Sequence, residues 1–177
     1  MYKIIKIGLL LGIIMTLLTS CSSNFNKLYI ADDSDMAQET INQVIEAISN
    51  DDATALRNLF AKNICNEVSD IDKAVLELLE FIQGDIISYN STTGVHVSKK
   101  SDHGKIVKSV VSYFNIETNE DKYHIAINEC VVDTIDKNNV GIYSFNIISD
   151  DDWTEDYIYG GLEQATIAGI IIEGKTD

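Results

Sequence analysis

Residues 106–118 read IVKSVVSYFNIET, and their alternation decides the fold. Val107, Val111 and Tyr113 fall on one face. Ile106, Val110, Phe114 and Ile116 fall on the other. A period of two over this length is the mark of a β-strand, and apolar residues on both faces mean that part of each face is covered. Downstream, Asn119-Glu120-Asp121 turns the chain into a further strand over Tyr123 to Thr134. Asp136-Lys137-Asn138-Asn139 turns it again into Val140 to Ser149. Upstream, Ile86 to Val97 reads as a strand with a soft middle at Ser91-Thr92-Thr93-Gly94, and KKSDHG at 99–104 reads as a polar turn. Long consecutive strands joined by short polar turns predict an antiparallel meander.

Before Ile86 the period is helical. Met36, Ala37, Ile41, Val44, Ile45 and Ile48 recur at three- and four-residue steps, after an acidic cap region at Asp32-Asp33-Ser34-Asp35. Ser49-Asn50-Asp51-Asp52 ends that helix and starts a short one over Ala55, Leu56, Leu59 and Phe60, ending near Lys62-Asn63. A third opens at Ser69 or Asp70, buries Ile71, Val75, Leu78, Leu79 and Ile82, and stops at Gly84. Helices followed by a sheet predict an α+β domain with the helices on one face. A curved sheet wrapped around the first helix would leave a cavity at its open end. The tail from Tyr157 to Ile172 reads as a short helix around Leu162 and then a strand.

The N-terminus has a different character. Lys3 and Lys6 precede an apolar run from Ile7 to Leu18, and Thr19-Ser20-Cys21 closes it. The run is shorter than the roughly 20 residues of a spanning helix and suits a signal segment. Small residues directly before a cysteine resemble a lipobox. The expected organisation is a lipoprotein signal peptide over 1–20, a tether over 21–33 and one domain over 34–177. A diacylglyceryl group on Cys21 would supply the two chains that stable anchoring needs. The domain would then face outside the cytoplasmic membrane.

Charge restricts the partners. The net charge is −15, and loss of Lys3 and Lys6 with the leader makes it −17. Such a surface disfavours nucleic acid and stands off from anionic lipid. With Cys21 lipidated, Cys65 and Cys130 remain, and pairing them needs a separation that sequence does not supply.

Little in the chain spells chemistry. There is no Gly-x-Ser-x-Gly elbow and no phosphate-cradling loop, Gly160-Gly161 having no lysine after it. His96 and His124 lie on predicted strands and could share a face, whereas His103 sits in a turn. Asp150-Asp151-Asp152 with Glu155 and Asp156 could hold calcium loosely but lacks the spacing of a calcium loop. Trp153, Tyr157 and Tyr159 cluster beside that acidic loop and could line a pocket mouth or a contact patch. No catalytic residue, metal site or cofactor is assigned.

Four stretches together resemble a known family: DDSDMAQETINQVIEAISNDD at 32–52, DATALRNLFA at 52–61, IDKAVLELLEFIQG at 71–84 and NNVGIYSFNII at 138–148. With the lipobox they are similar to an uncharacterised family of lipoproteins from Gram-positive, largely clostridial bacteria. The Asn50-Asp51-Asp52-Ala53 junction, Gly84 and Gly141 match best. The resemblance implies an NTF2-like (cystatin-like) α+β fold, a cone of sheet around a helix, and carries over no catalytic residue. That fold hosts enzymes and binding modules alike. The leading expectation is a tethered, non-enzymatic module for a small molecule or protein partner. The alternatives are a pocket enzyme using His96, His124 or a buried carboxylate, and an envelope protein that self-associates, for example as a homodimer.

Overall fold

The structure, a computed structural model, describes residues 32–154 and 167–173. They lie in the compact unit Asp33–Asp177, apart from Asp32 at its boundary. The leader, Cys21, and the tail residues Tyr157 and Tyr159 are outside the described residues.

Among the described residues, four helices come first. Helix α1 (Asp33–Ser49) buries Met36, Ala37, Ile41, Val44, Ile45 and Ala47, and carries Asp33 and Asp35 in its first turn, where the helix dipole favours negative charge. Helix α2 (Ala53–Asn58) is capped by Asp52, whose carboxylate accepts the Ala55 N–H at 2.8 Å. Helix α3 (Lys62–Glu67) departs from the sequence expectation, which ends the preceding helix near Lys62-Asn63. The chain straightens at Ala61 and then coils again. The cause is distant in sequence. Phe60 forms a parallel bridge with Ile142. The Ala61 N–H donates to Ile142 C=O, and the Ile142 N–H donates to Leu59 C=O, both at 2.9 Å. Helix α4 (Ile71–Phe81) follows Asp70 and buries Ile71, Val75 and Leu78.

Among the described residues six strands form one sheet: β1 (Ile86–Ser91), β2 (His96–Asp102), β3 (Lys105–Thr118), β4 (Lys122–Asp133), β5 (Gly141–Ser149) and β6 (Gly169–Glu173). The order is β1-β3-β4-β5-β6, and β2 also pairs with β3. Strand β1 takes the 114–118 end of β3, while β2 takes the 105–111 end. Between them the Thr92 N–H donates to Tyr113 C=O at 3.1 Å. The expected strand over 86–97 is thus two strands, split at its soft middle. The expected turn over 99–104 shrinks to His103-Gly104. Both residues have positive φ, 47° and 80°, which suits the twist of a two-residue hairpin. Lys99 to Asp102 are therefore strand, and all seven residues of β2 are exposed. The sheet is also mixed rather than wholly antiparallel, because β6 runs parallel to β5. The result is α+β, with the helices packed on an open mixed sheet.

Alternation sorts the two faces. Toward the helices point Val110, Phe114 and Ile116 of β3, Tyr123, Ile125 and Ile127 of β4, and Phe145 and Ile147 of β5. The Tyr123 hydroxyl accepts the Gln83 N–H at 2.8 Å, and its ring meets Phe81 edge-on at 5.6 Å. Polar residues also lie on this face. Thr40 of α1 donates to Glu129 at 2.7 Å, and the Lys108 ammonium pairs with Asp33. The opposite face carries Tyr113, Asn115, His124, Ala126, Asn146 and Ile148.

Beyond β4 the turn is pinned by Asp133. Its carboxylate accepts the N–H groups of Ile135 (2.7 Å) and Asp136 (2.9 Å) and the Asn139 amide (2.9 Å). The Asn139 bond, then the Asp136 N–H, holds this carboxyl below its ordinary range. A carboxyl depressed on folding stabilises the protein above its unfolded pKa, near 4, and that share is lost as pH falls through the folded value. Asp133→Asn is therefore expected to be less stable at pH 7 and to lose less stability between pH 5 and pH 2. Urea midpoints across that range measure it, and parallel curves for the two proteins would refute it.

Candidate functional site

A cleft of about 290 Å³ opens on the sheet face turned away from the helices. A cavity at the open end of the sheet around α1 was expected instead. The space on the helix side is filled by Ile41, Val44, Leu56, Val75, Leu78, Val110, Ile116, Ile127 and Phe145, each at most 1 % exposed. On the cleft side, Tyr113, Ala126, Ile148 and Trp153 give an apolar lining. Thr92 and Thr93, from the break between β1 and β2, border it, as does Glu173 at the end of β6. Splitting the first strand and adding the parallel last strand are thus what bound the site.

His124 is held on several sides. Its Nδ1 lies 2.9 Å from Oδ1 of Asn115, its direct cross-strand neighbour. Its Nε2 lies 2.7 Å from Oδ1 of Asp150. The turn after β5 then brings Trp153 back over the ring. The Asp150 N–H donates to Lys122 C=O at 2.8 Å, and the Trp153 N–H donates to Asp150 C=O at 3.3 Å. The Trp153 and His124 rings stack with centroids 4.7 Å apart and planes 24° from parallel. Such a pair contributes about 0.5–1.5 kcal/mol beyond its buried area.

Asn146 is the unusual member. It sits on β5 opposite the small Ala126 of β4, lines the cleft and is 7 % exposed. Among the described residues neither its Oδ1 nor its Nδ2 has a hydrogen-bond partner. A buried amide left unpaired costs about 1–3 kcal/mol for each unsatisfied group. Glu173 lies opposite Ile148, and burial pushes its carboxyl above the ordinary range. The cleft therefore combines an apolar body, an amide whose donor and acceptor have no partner among the described residues, and a carboxyl whose pKa burial raises.

Of the residues singled out by sequence, His124 and Trp153 come together here. His96 lies on the same sheet face at the edge strand β2, with its ring edge-on to Tyr113 at 6.1 Å. It touches a wall residue from outside the cleft. His103 is exposed in the hairpin beside Asp102. Among the described residues no three His, Cys, Asp or Glu side chains converge as metal ligands. Asp150 instead bonds His124, and Asp152 accepts from Ser149 at 3.2 Å. Cys65 and Cys130 are both free thiols. Burial, the largest cause, pushes the Cys130 thiol up to about 11, which leaves it unreactive at neutral pH. Sequence reasoning missed Asn115, Asn146 and Glu173. For Asn146 a signal was present: a lone amide inside the apolar run Val140–Ile148.

The matched family now has a structural setting. A family model described as a domain of unknown function, DUF5104, matches residues 43–150. The chain belongs to this family. The DUF5104 span runs from the middle of α1 through β5, and so contains Asn115, His124, Ala126, Asn146 and Asp150. It ends before Trp153 and β6, which complete one side of the cleft. No curated protein matches the chain. No helix among the described residues is long and apolar enough to cross a membrane.

Proposed function

We propose that this DUF5104 chain is a non-enzymatic binding module for a small molecule, held at the outer face of the cell membrane by lipid on Cys21. The leader motif supports the address: Lys3 and Lys6, the apolar run, and Thr19-Ser20 before Cys21. The proposal includes descent from lipoproteins of Gram-positive bacteria and an NTF2-like fold, supported by helices packed on one face of a strongly hydrogen-bonded sheet.

The observation that carries the binding reading is the state of His124. A general base needs a free nitrogen within reach of its substrate. Both nitrogens of His124 are engaged and one ring face lies under Trp153. It serves as a fixed platform. The cleft volume lies near the lower end of small-molecule sites, about 300 Å³.

Thermal-shift screening of the full chain in detergent against small-molecule fragments tests this. Hits are expected to raise the melting temperature, and Ala126→Phe, which fills the cleft floor, is expected to abolish those shifts. Hits that survive Ala126→Phe, or none at all, would refute the reading. An enzymatic alternative draws on Glu173, a cleft-lining carboxyl whose pKa burial raises. It would be favoured if a hit were chemically converted and Glu173→Gln kept binding but lost conversion.

A further inference from the structure

We propose that the cleft selects an uncharged ligand with an apolar or aromatic body and a carboxamide-type edge, a hydrogen-bond donor beside an acceptor, that pairs with Asn146. This rests on the binding reading above and names the ligand class. The argument begins with the unpaired amide. Among the described residues Asn146 Oδ1 and Nδ2 are both without partners, and the residue lines the cleft while only 7 % exposed. A ligand that offered only an acceptor or only a donor would leave one of them unsatisfied. An amide edge satisfies both in one planar, two-bond contact, and a site built to hydrogen-bond discriminates strongly against analogues that cannot.

Charge narrows the class further. A carboxylate ligand would enter beside the Glu173 carboxyl, with Asp150 behind His124, in a chain of net charge −15. An anion is thus opposed by like charge, and it also lacks the donor that Asn146 Oδ1 requires. An ammonium supplies donors but no acceptor for Asn146 Nδ2. The apolar surfaces of Tyr113, Ile148 and Trp153 accept the rest of the molecule.

Trp153 is the only tryptophan in the chain, so its fluorescence reports on the cleft directly. Four probes share one shape and are transparent at the red edge of tryptophan excitation: phenylacetamide, phenylacetate, phenethylammonium and propylbenzene. Each is titrated into the full chain in detergent, with free tryptophan as the quenching control. The expected result is saturable binding of phenylacetamide at least tenfold tighter than either charged probe. Asn146→Leu is expected to remove that preference while still binding propylbenzene, which shows that the variant remains folded. Equal affinities for the amide and the charged probes, or an amide preference that survives Asn146→Leu, would overturn the ligand class and leave the binding reading standing. No saturable response to any of the four, propylbenzene included, would overturn both.

Discussion

Gly141→Ala is expected to destabilise the fold by about 3–4 kcal/mol, combining left-handed backbone strain with two forfeited hydrogen bonds. Gly141 opens β5 with φ of +129°. An added Cβ would sit 2.8 Å from the Ala61 nitrogen and 2.9 Å from the Leu59 carbonyl oxygen. Both are backbone atoms of the bridge that ties the α2–α3 junction to Ile142, so neither can rotate away. Phe60, 4 % exposed, would move with them. Against a total stability of about 5–15 kcal/mol this is a large loss. A fall in melting temperature of about 10 °C follows for a domain of this size. Circular-dichroism melts measure it, and a shift under 3 °C would show that the bridge yields more freely than its geometry implies.

The second large effect is asymmetric. Asp33→Ala is expected to cost about 3 kcal/mol, the usual penalty for stranding the buried member of an ion pair. The Lys108 side chain is 7 % exposed and its ammonium ends on Asp33. Removing the carboxylate leaves a positive charge under α1. Lys108→Met is expected to change stability by less than about 1 kcal/mol, since the Asp33 side chain left behind is 30 % exposed and solvated, and the packing volume is kept. Denaturant midpoints for the two variants provide the comparison. If Lys108→Met cost as much as Asp33→Ala, the pair itself would be a strong net stabiliser, and the argument from a stranded charge would fail.

Asp33 shows where local reading reaches its limit. The run Asp32-Asp33-Ser34-Asp35 was legible as a helix start, and α1 begins there. That Asp33 reaches across to β3 was not, because the partner is a lysine inside an alternating strand whose other inward residues are largely apolar. The faces of β3, the turn at 119–121 and the stop at Gly84 follow from spacing alone, because a period of two or 3.6 is written in neighbouring residues. The break at Ala61 is imposed by Ile142, and β6 pairs parallel with β5 rather than antiparallel. Neither leaves a local trace. The cleft was legible only in pieces. His124 and Trp153 are both marked by the sequence, but their stacking depends on the turn after β5, and the absence of partners for the Asn146 amide among the described residues is a property of the folded sheet.

Among the described residues no strand pairs with the outer side of β2, which has a consequence for how these molecules coexist at high density. A ladder that ends in open N–H and C=O groups invites a sister chain to add on, the first step toward fibrous polymer. Here the rim is HVSKKSD, followed closely by Lys105. Two copies aligned rim to rim would crowd like-charged ammonium groups together, and lysines at such a margin act as gatekeepers. An otherwise acidic protein thus keeps positive charge where runaway stacking would begin.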